Sequence, residues 1–225
     1  KDVRIGEPIK RIEWRETVGD FGAQLQELQL IRALQPLHNL RGRLSQELCS
    51  LQLTPLDSGF LTPRIVLASE VDFSRLDTLY GLFRSQKEAK KALAELCAGN
   101  GLCQTCLALE KRGARKGACS AFALGRCKGA CIGREDAASH NQRLQQALAR
   151  LKLQSWPYPG AVAVRETDPV SGQWLEHLFE RWCYLGSRRE EAAAPQGTPT
   201  FDADTYKLLA AFLRKPQPDA ELRVL

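Results

Sequence analysis

At 225 residues the chain has room for one or two domains of ordinary size, and its 44% hydrophobic and 26% charged residues exclude wholesale disorder. No apolar run approaches the roughly 20 residues that cross a bilayer, and Lys1-Asp2-Val3-Arg4 is not followed by the apolar stretch of a secretory leader; the expectation is a soluble, cytoplasmic chain with no membrane partner. The net charge of +6 is modest, but between Cys103 and Arg134 seven cations face a single acid, Glu110, so that segment carries the whole excess.

The chain contains no methionine and opens almost at once on a strand-like alternation over 9–17. Both features read as the rear part of a longer polypeptide. Gly19 and Asp20 break the strand, and Phe21, Leu25, Leu28 and Ile31 then mark a helix that Pro36 stops. A strand is expected over Cys49–Leu53 and another over Arg64–Glu70. Ser85, with Glu88 three residues on, begins a helix to Cys97 that Gly99 follows. Residues 100–134 show no periodicity and need a cross-link or a metal to hold a shape.

A helix is expected over Asp136–Leu153, with Leu144, Ala147, Leu148 and Leu151 on one side and Pro157 and Pro159 ending it. Gly160–Glu166 reads as a strand, 168–172 as a turn, and Trp174–Leu185 as one answering strand, together a hairpin. A linker over 188–200 precedes a final helix, Asp202–Arg214. Strands and helices without strict alternation give an α+β fold. The expected boundaries are an N-terminal strand-plus-helix segment over 1–43, a connecting α/β segment over 44–99, the cysteine-rich basic segment over 100–135, and a helix plus hairpin over 136–225.

Five of eight cysteines fall in the basic segment: Cys103, Cys106, Cys119, Cys127 and Cys131. Nothing marks secretion, so disulfides are the weakest reading. Thiolates this close suit zinc or iron–sulfur iron, whereas free thiols in a small-residue loop are the plain alternative. Gly125, Gly129 and Gly133 interleave with them and permit tight turns. The surrounding cations Lys111, Arg112, Arg115, Lys116, Arg126, Lys128 and Arg134 suggest a polyanionic partner such as nucleic acid, against the alternative of a solvated basic loop. Glu27 emerges from Ala23, Leu30, Ile31 and Leu34 on the first helix. An isolated carboxylate there is either a rim residue, half of an ion pair, or a ligand for a divalent cation.

These tracts resemble a known family. Gly22–Asn39 resembles the end of a GIY-YIG nuclease domain, Tyr80-Gly-Leu-Phe-Arg-Ser85 the family's aromatic-glycine tract before a helix, and Gly117–Gly133 the cysteine segment of UvrC-type excinucleases. His140-Asn-Gln-Arg-Leu144, Trp156-Pro-Tyr-Pro-Gly160 and Arg181-Trp-Cys-Tyr-Leu-Gly186 resemble the shorter Cho-type members, including those fused behind a DNA polymerase III epsilon-type exonuclease.

The resemblance implies metal-dependent incision of damaged double-stranded DNA in nucleotide excision repair, on a complex loaded by UvrB, by a monomer. Glu27 would hold magnesium or manganese, and Cys103, Cys119, Cys127 and Cys131, with Cys106 as the alternate to Cys103, would hold an iron–sulfur cluster or zinc. The paired tyrosine motifs and the helix arginine of such nucleases would lie before residue 1. Tyr80, Tyr158, Tyr184 and Tyr206 all follow the helix, Tyr184-Leu-Gly186 is a chance match to the second motif, and His38 stands where the family has tyrosine. The chain by itself is therefore expected to be inactive. The competing expectation is a non-catalytic module that binds DNA or a repair partner.

Overall fold

The computed structural model of the protein describes residues 11–36, 48–70, 76–111, 117–189 and 201–225. The fold is α+β, as expected, and divides into two compact units: residues 45–155, and residues 1–44 together with 156–225.

In the first unit, strands β1 (Cys49–Pro55), β2 (Leu61–Leu67) and β3 (Leu79–Phe83) form an antiparallel sheet in the order β2-β1-β3. Cys49 pairs with Leu67 on one side of β1 and with Phe83 on the other. Strand β3 is an addition to the expected elements. It coincides with the Tyr80-Gly tract, and Gly81, with a φ of 73°, takes one of the buried positions of its alternating pattern, under the Phe83 ring. The expected strand over 64–70 begins and ends three residues earlier, because Glu70 turns back to accept from the Leu67 N–H.

Helix α2 (Gln86–Gly99) starts as expected: the Ser85 side chain accepts from the Glu88 N–H, while the Glu88 carboxylate accepts from Arg84 rather than from Ser85 itself. Its apolar stripe of Ala89, Leu93 and Cys97 packs with Cys49, Leu51 and Phe83 and with Leu144 and Leu148 of α4 (Ala137–Leu148). Helix α4, capped by Asp136, is shorter than its periodicity suggests; the chain tightens to a 3-10 turn at 149–151.

In the second unit, β4 (Val162–Thr167), β5 (Trp174–Glu180), β6 (Cys183–Arg188) and β7 (Ala220–Val224) form an antiparallel sheet ordered β6-β5-β4-β7. Helix α1 (Asp20–Leu34) packs on it through Phe21, whose ring lies 5.9 Å from Phe179 of β5 and 5.1 Å from Phe212 of α5 (Ala203–Arg214). The expected strand over 9–17 is absent from 11–17, which run as irregular backbone with Ile12 and Trp14 in solvent. A strand needs a ladder partner, and none of the described residues supplies one.

The single strand expected over Trp174–Leu185 is instead two. The chain reverses at Arg181-Trp182, both with positive φ (48° and 67°), so that Glu180 faces Cys183. Neither residue is a turn-former by type, and the hairpin is therefore invisible to turn chemistry. Strand β7 was also unexpected; it completes the sheet by pairing with β4 from Val162↔Val224 to Glu166↔Ala220. His38 and the linker residues 190–200 lie outside the described residues.

Candidate metal centre and active-site helix

The aperiodic segment after α2 is shaped by its glycines and short turns. A short helix α3 (Ser120–Ala123) follows Cys119, and a 3-10 turn at 130–132 carries Cys131 between Gly129 (φ 89°) and Gly133 (φ 76°). At Gly129 a Cβ would also press within 2.9 Å of Arg134, so both conformation and space exclude a side chain. The result gathers the sulfurs of Cys103, Cys119, Cys127 and Cys131 within 4.8 Å of one another, all four buried.

Cys103 and Cys119 Sγ lie 3.9 Å apart. Four thiolates about 2.3 Å from one zinc ion would stand roughly 3.8 Å apart along the tetrahedron's edges; the Cys103–Cys119 pair matches that spacing, and the four buried sulfurs could together hold a metal. A four-iron cluster binds each thiolate to a different iron and holds the sulfurs wider.

Cys106 is outside the quartet and only half-buried. Its thiol bonds to Cys103, and that hydrogen bond above all holds Cys103 down to about 4, while the same contact pushes Cys106 far up. Burial pushes Cys127 up to about 12 and Cys131 up to about 11. The site therefore supplies one ready thiolate and at least two thiols that must surrender protons to bind a cation. Backbone N–H groups are already aimed at the sulfurs, Cys119 at Cys131 and Gly129 at Cys127, both at 3.3 Å. His140 of α4 braces the site, its Nε2 accepting from the Cys103 N–H at 3.2 Å. Its pKa is lowered chiefly by burial, so the neutral ring is favoured. Glu135 and Arg143 form a largely buried ion pair beside it.

Of the expected DNA-contacting residues, Lys111, Arg126, Lys128 and Arg134 are exposed, with the Arg134 guanidinium 5.1 Å from the centre of the Phe122 ring. Arg112, Arg115 and Lys116 lie outside the described residues.

Glu27 projects from α1 into an open groove of about 320 Å³ that it shares with Arg15, Leu30, Ile31 and Leu34. Ile31 is buried, but Ala23 and Leu34 face solvent, so the stripe around Glu27 is only partly covered. Glu27 is the single acid lining this groove among the described residues.

The N-terminus of α1 is built in a way that sequence patterning misses. Gly19 offers no capping side chain. Instead, the Glu166 carboxylate of β4 accepts from the N–H groups of Phe21 and Gly22, each at 2.8 Å, and meets His177 Nε2 at 3.1 Å. The spaced glycines at 19 and 22 were the available signal: a Cβ at Gly22 would lie 2.6 Å from Glu166 Oε2, and one at Gly19 would collide with Oε1.

Residues 48–150 match the family model of the UvrC/Cho excinuclease middle domain, and residues 161–225 that of the excinuclease Cho C-terminal domain. The chain is 41% identical to Excinuclease cho of Salmonella typhi over 211 residues, covering 92% of this chain and 69% of that protein. The chain belongs to the UvrC/Cho excinuclease family. Excinuclease cho of Shigella flexneri and of Escherichia coli K12 are each 42% identical over 203 residues, 89% of this chain and 66% of theirs. The chain thus spans about two thirds of the length of these relatives. No solved structure matches it significantly. The UvrC/Cho middle-domain match contains the whole cysteine quartet, and the Cho C-terminal match contains β4 to β7; α1 lies outside both. Among the described residues no helix is long and apolar enough to cross a membrane.

Proposed function

We propose that the chain is the rear portion of a UvrC/Cho-type, GIY-YIG-related DNA endonuclease, which incises damaged double-stranded DNA handed over by UvrB. The joint match to the UvrC/Cho middle domain and the Cho C-terminal domain carries this reading. A divalent cation, magnesium or manganese, would supply charge stabilisation at the scissile phosphate and its leaving oxygen. Glu27 is the residue that would hold it: its carboxylate reaches open solvent from a rigid helix.

The cysteine quartet would bind a metal and so fix the basic segment. Arg126, Lys128 and Arg134 then meet phosphates through salt-sensitive contacts that do not read sequence. The family resemblance favours an iron–sulfur cluster for that site, and the close approach of the four sulfurs, Cys103 and Cys119 at 3.9 Å, keeps a single zinc ion as the alternative.

A second reading, a module that binds DNA without cutting it, draws support from the groove's solitary acid. Besides Glu27 the groove's described lining offers only Arg15 as a charged group, and the 225-residue chain on its own is expected not to nick DNA.

The two readings separate on Glu27→Ala in the complete gene product. Loss of nicking of damaged plasmid, with DNA affinity within about twofold of the parent in a binding titration, supports the nuclease. The expected loss is at least a hundredfold, the scale of removing a main electrostatic contributor. Undiminished nicking by Glu27→Ala would overturn it.

A further inference from the structure

We infer that the C-terminal sheet positions the nuclease helix, with Glu166 and His177 as the positioning residues that fix where Glu27 presents its carboxylate. This rests on the reading of Glu27 as the ligand of the cutting metal. Helix α1 could have been capped locally, since a serine or aspartate at position 19 would satisfy its first N–H groups. The cap instead comes from a glutamate 145 residues away in sequence.

Glu166 is 1% exposed, and its charge is met by two N–H groups, the positive end of the helix dipole and His177. His177 is held in turn: its Nδ1 lies 2.8 Å from Ser187 Oγ, and Tyr184 OH lies 2.6 Å from that same oxygen. Strands β4, β5 and β6 thus each contribute to one relay ending on the helix. The far end of α1 is tied as well, through Arg32 to Asp202 and Thr205 at the start of α5. Pinned at both ends and seated through Phe21, the helix has neither free rotation nor free tilt against the sheet.

Glu27 lies six residues beyond Phe21, about 9 Å along the helix axis. A tilt of roughly 6° about the capped end would displace it by about 1 Å, and misplacement of that size can cost on the order of a hundredfold in rate. The missing Cβ atoms at Gly19 and Gly22 are what let the carboxylate sit so close.

The test is incision by the complete gene product carrying Glu166→Gln or His177→Gln, measured against magnesium concentration. Glu166→Gln is expected to lower kcat by roughly tenfold to a hundredfold, and to raise the half-saturating magnesium concentration with the KM for DNA unchanged. In the 225-residue chain the same change should speed amide exchange at Phe21 and Gly22. Leu178→Ala, a core change in the same sheet, serves as a control for simple destabilisation and should leave the magnesium requirement alone. If Glu166→Gln does not fold, His177→Gln, which removes one of the carboxylate's three contacts, decides.

Variants that lose stability yet cut with the parent's magnesium dependence, or a Leu178→Ala that reproduces the shift, overturn the inference. An active Glu27→Ala would instead overturn the reading beneath it.

Discussion

Glu176 lies on β5 with its side chain shut away from solvent while three guanidinia converge on it: Arg165 Nε at 3.0 Å, Arg188 Nε at 2.7 Å and Arg223 Nη1 at 3.1 Å. Burial by itself would raise its pKa. The arginines outweigh burial and hold the carboxyl below its ordinary 4.5. A folded-state value below the unfolded one means that this contribution is fully present above about pH 4.5 and drains away as pH falls through the folded value. Glu176→Gln leaves three arginines gathered without their counter-charge. It should cost roughly 3 kcal/mol at pH 7, the low end for breaking a buried pair, because Arg223 is 43% exposed and water takes up part of the loss. Urea titration at neutral pH reads the deficit, and the gap to the parent should narrow as the pH approaches 3. Clustering made the metal-binding potential of the cysteines legible in the sequence, since that chemistry is local, whereas Glu27 as a metal ligand rests on the family resemblance. Glu176 and Glu166 were not legible: their partners lie on other strands or on a helix up to 145 residues away, and a glutamate within a strand looks like any solvated one.

Elements were readable where a local rule acts alone. Ser85, Asp136 and Asp202 each cap a helix with the side chain accepting from the N–H three residues on. Helix α1 ends at Gln35, in left-handed conformation, just before Pro36. Elements that exist only through pairing were missed: β3 and β7 are short, and each is defined by a neighbour that sequence patterning does not supply. The β5–β6 turn is a third such case, because Arg181 and Trp182 adopt a geometry that asparagine and glycine favour. Trp182 stays because its ring is buried against Trp156 and Tyr206. Arg181 is exposed and has no such obligation. Arg181→Asn should therefore stabilise the protein, by at most about 1 kcal/mol, by relieving positive φ at no packing cost. A higher thermal midpoint with unchanged tryptophan emission would check it; a lower midpoint would mean that the arginine side chain contributes more than its backbone costs.

At the scale of the molecule, the cysteine quartet lies wholly within residues 45–155, whereas all four tryptophans, Trp14, Trp156, Trp174 and Trp182, lie in the other unit. Metal binding to the native quartet adds its free energy to folding of the first unit. Among the described residues of the segment it closes, Leu107 reaches the main core, while the cysteines themselves cluster with Ala121 and Ala130, and with Phe60 and Phe122 packed alongside. Removing the metal with a chelator should therefore lower the far-ultraviolet dichroism and the amide protection of residues 45–155 while leaving tryptophan emission nearly unchanged. Affinity should also depend on pH with a definite sign. Cys127 and Cys131, pushed up to about 12 and about 11 by burial, are protonated at neutral pH and must each release a proton when the metal binds. Each displaced proton strengthens binding about tenfold per pH unit, so the logarithm of the affinity should rise with a slope of at least two between pH 6 and pH 8. Competition against a chromophoric chelator across that range measures the slope. Cys127→Ser should abolish the site, and Cys106→Ser should retain it, because Cys106 stands outside the quartet. A slope near zero, or loss of metal from Cys106→Ser, would show that the ligand set is not the four sulfurs gathered here. Elemental analysis of the same samples, with a visible thiolate-to-iron absorption band present or absent, then separates iron from zinc.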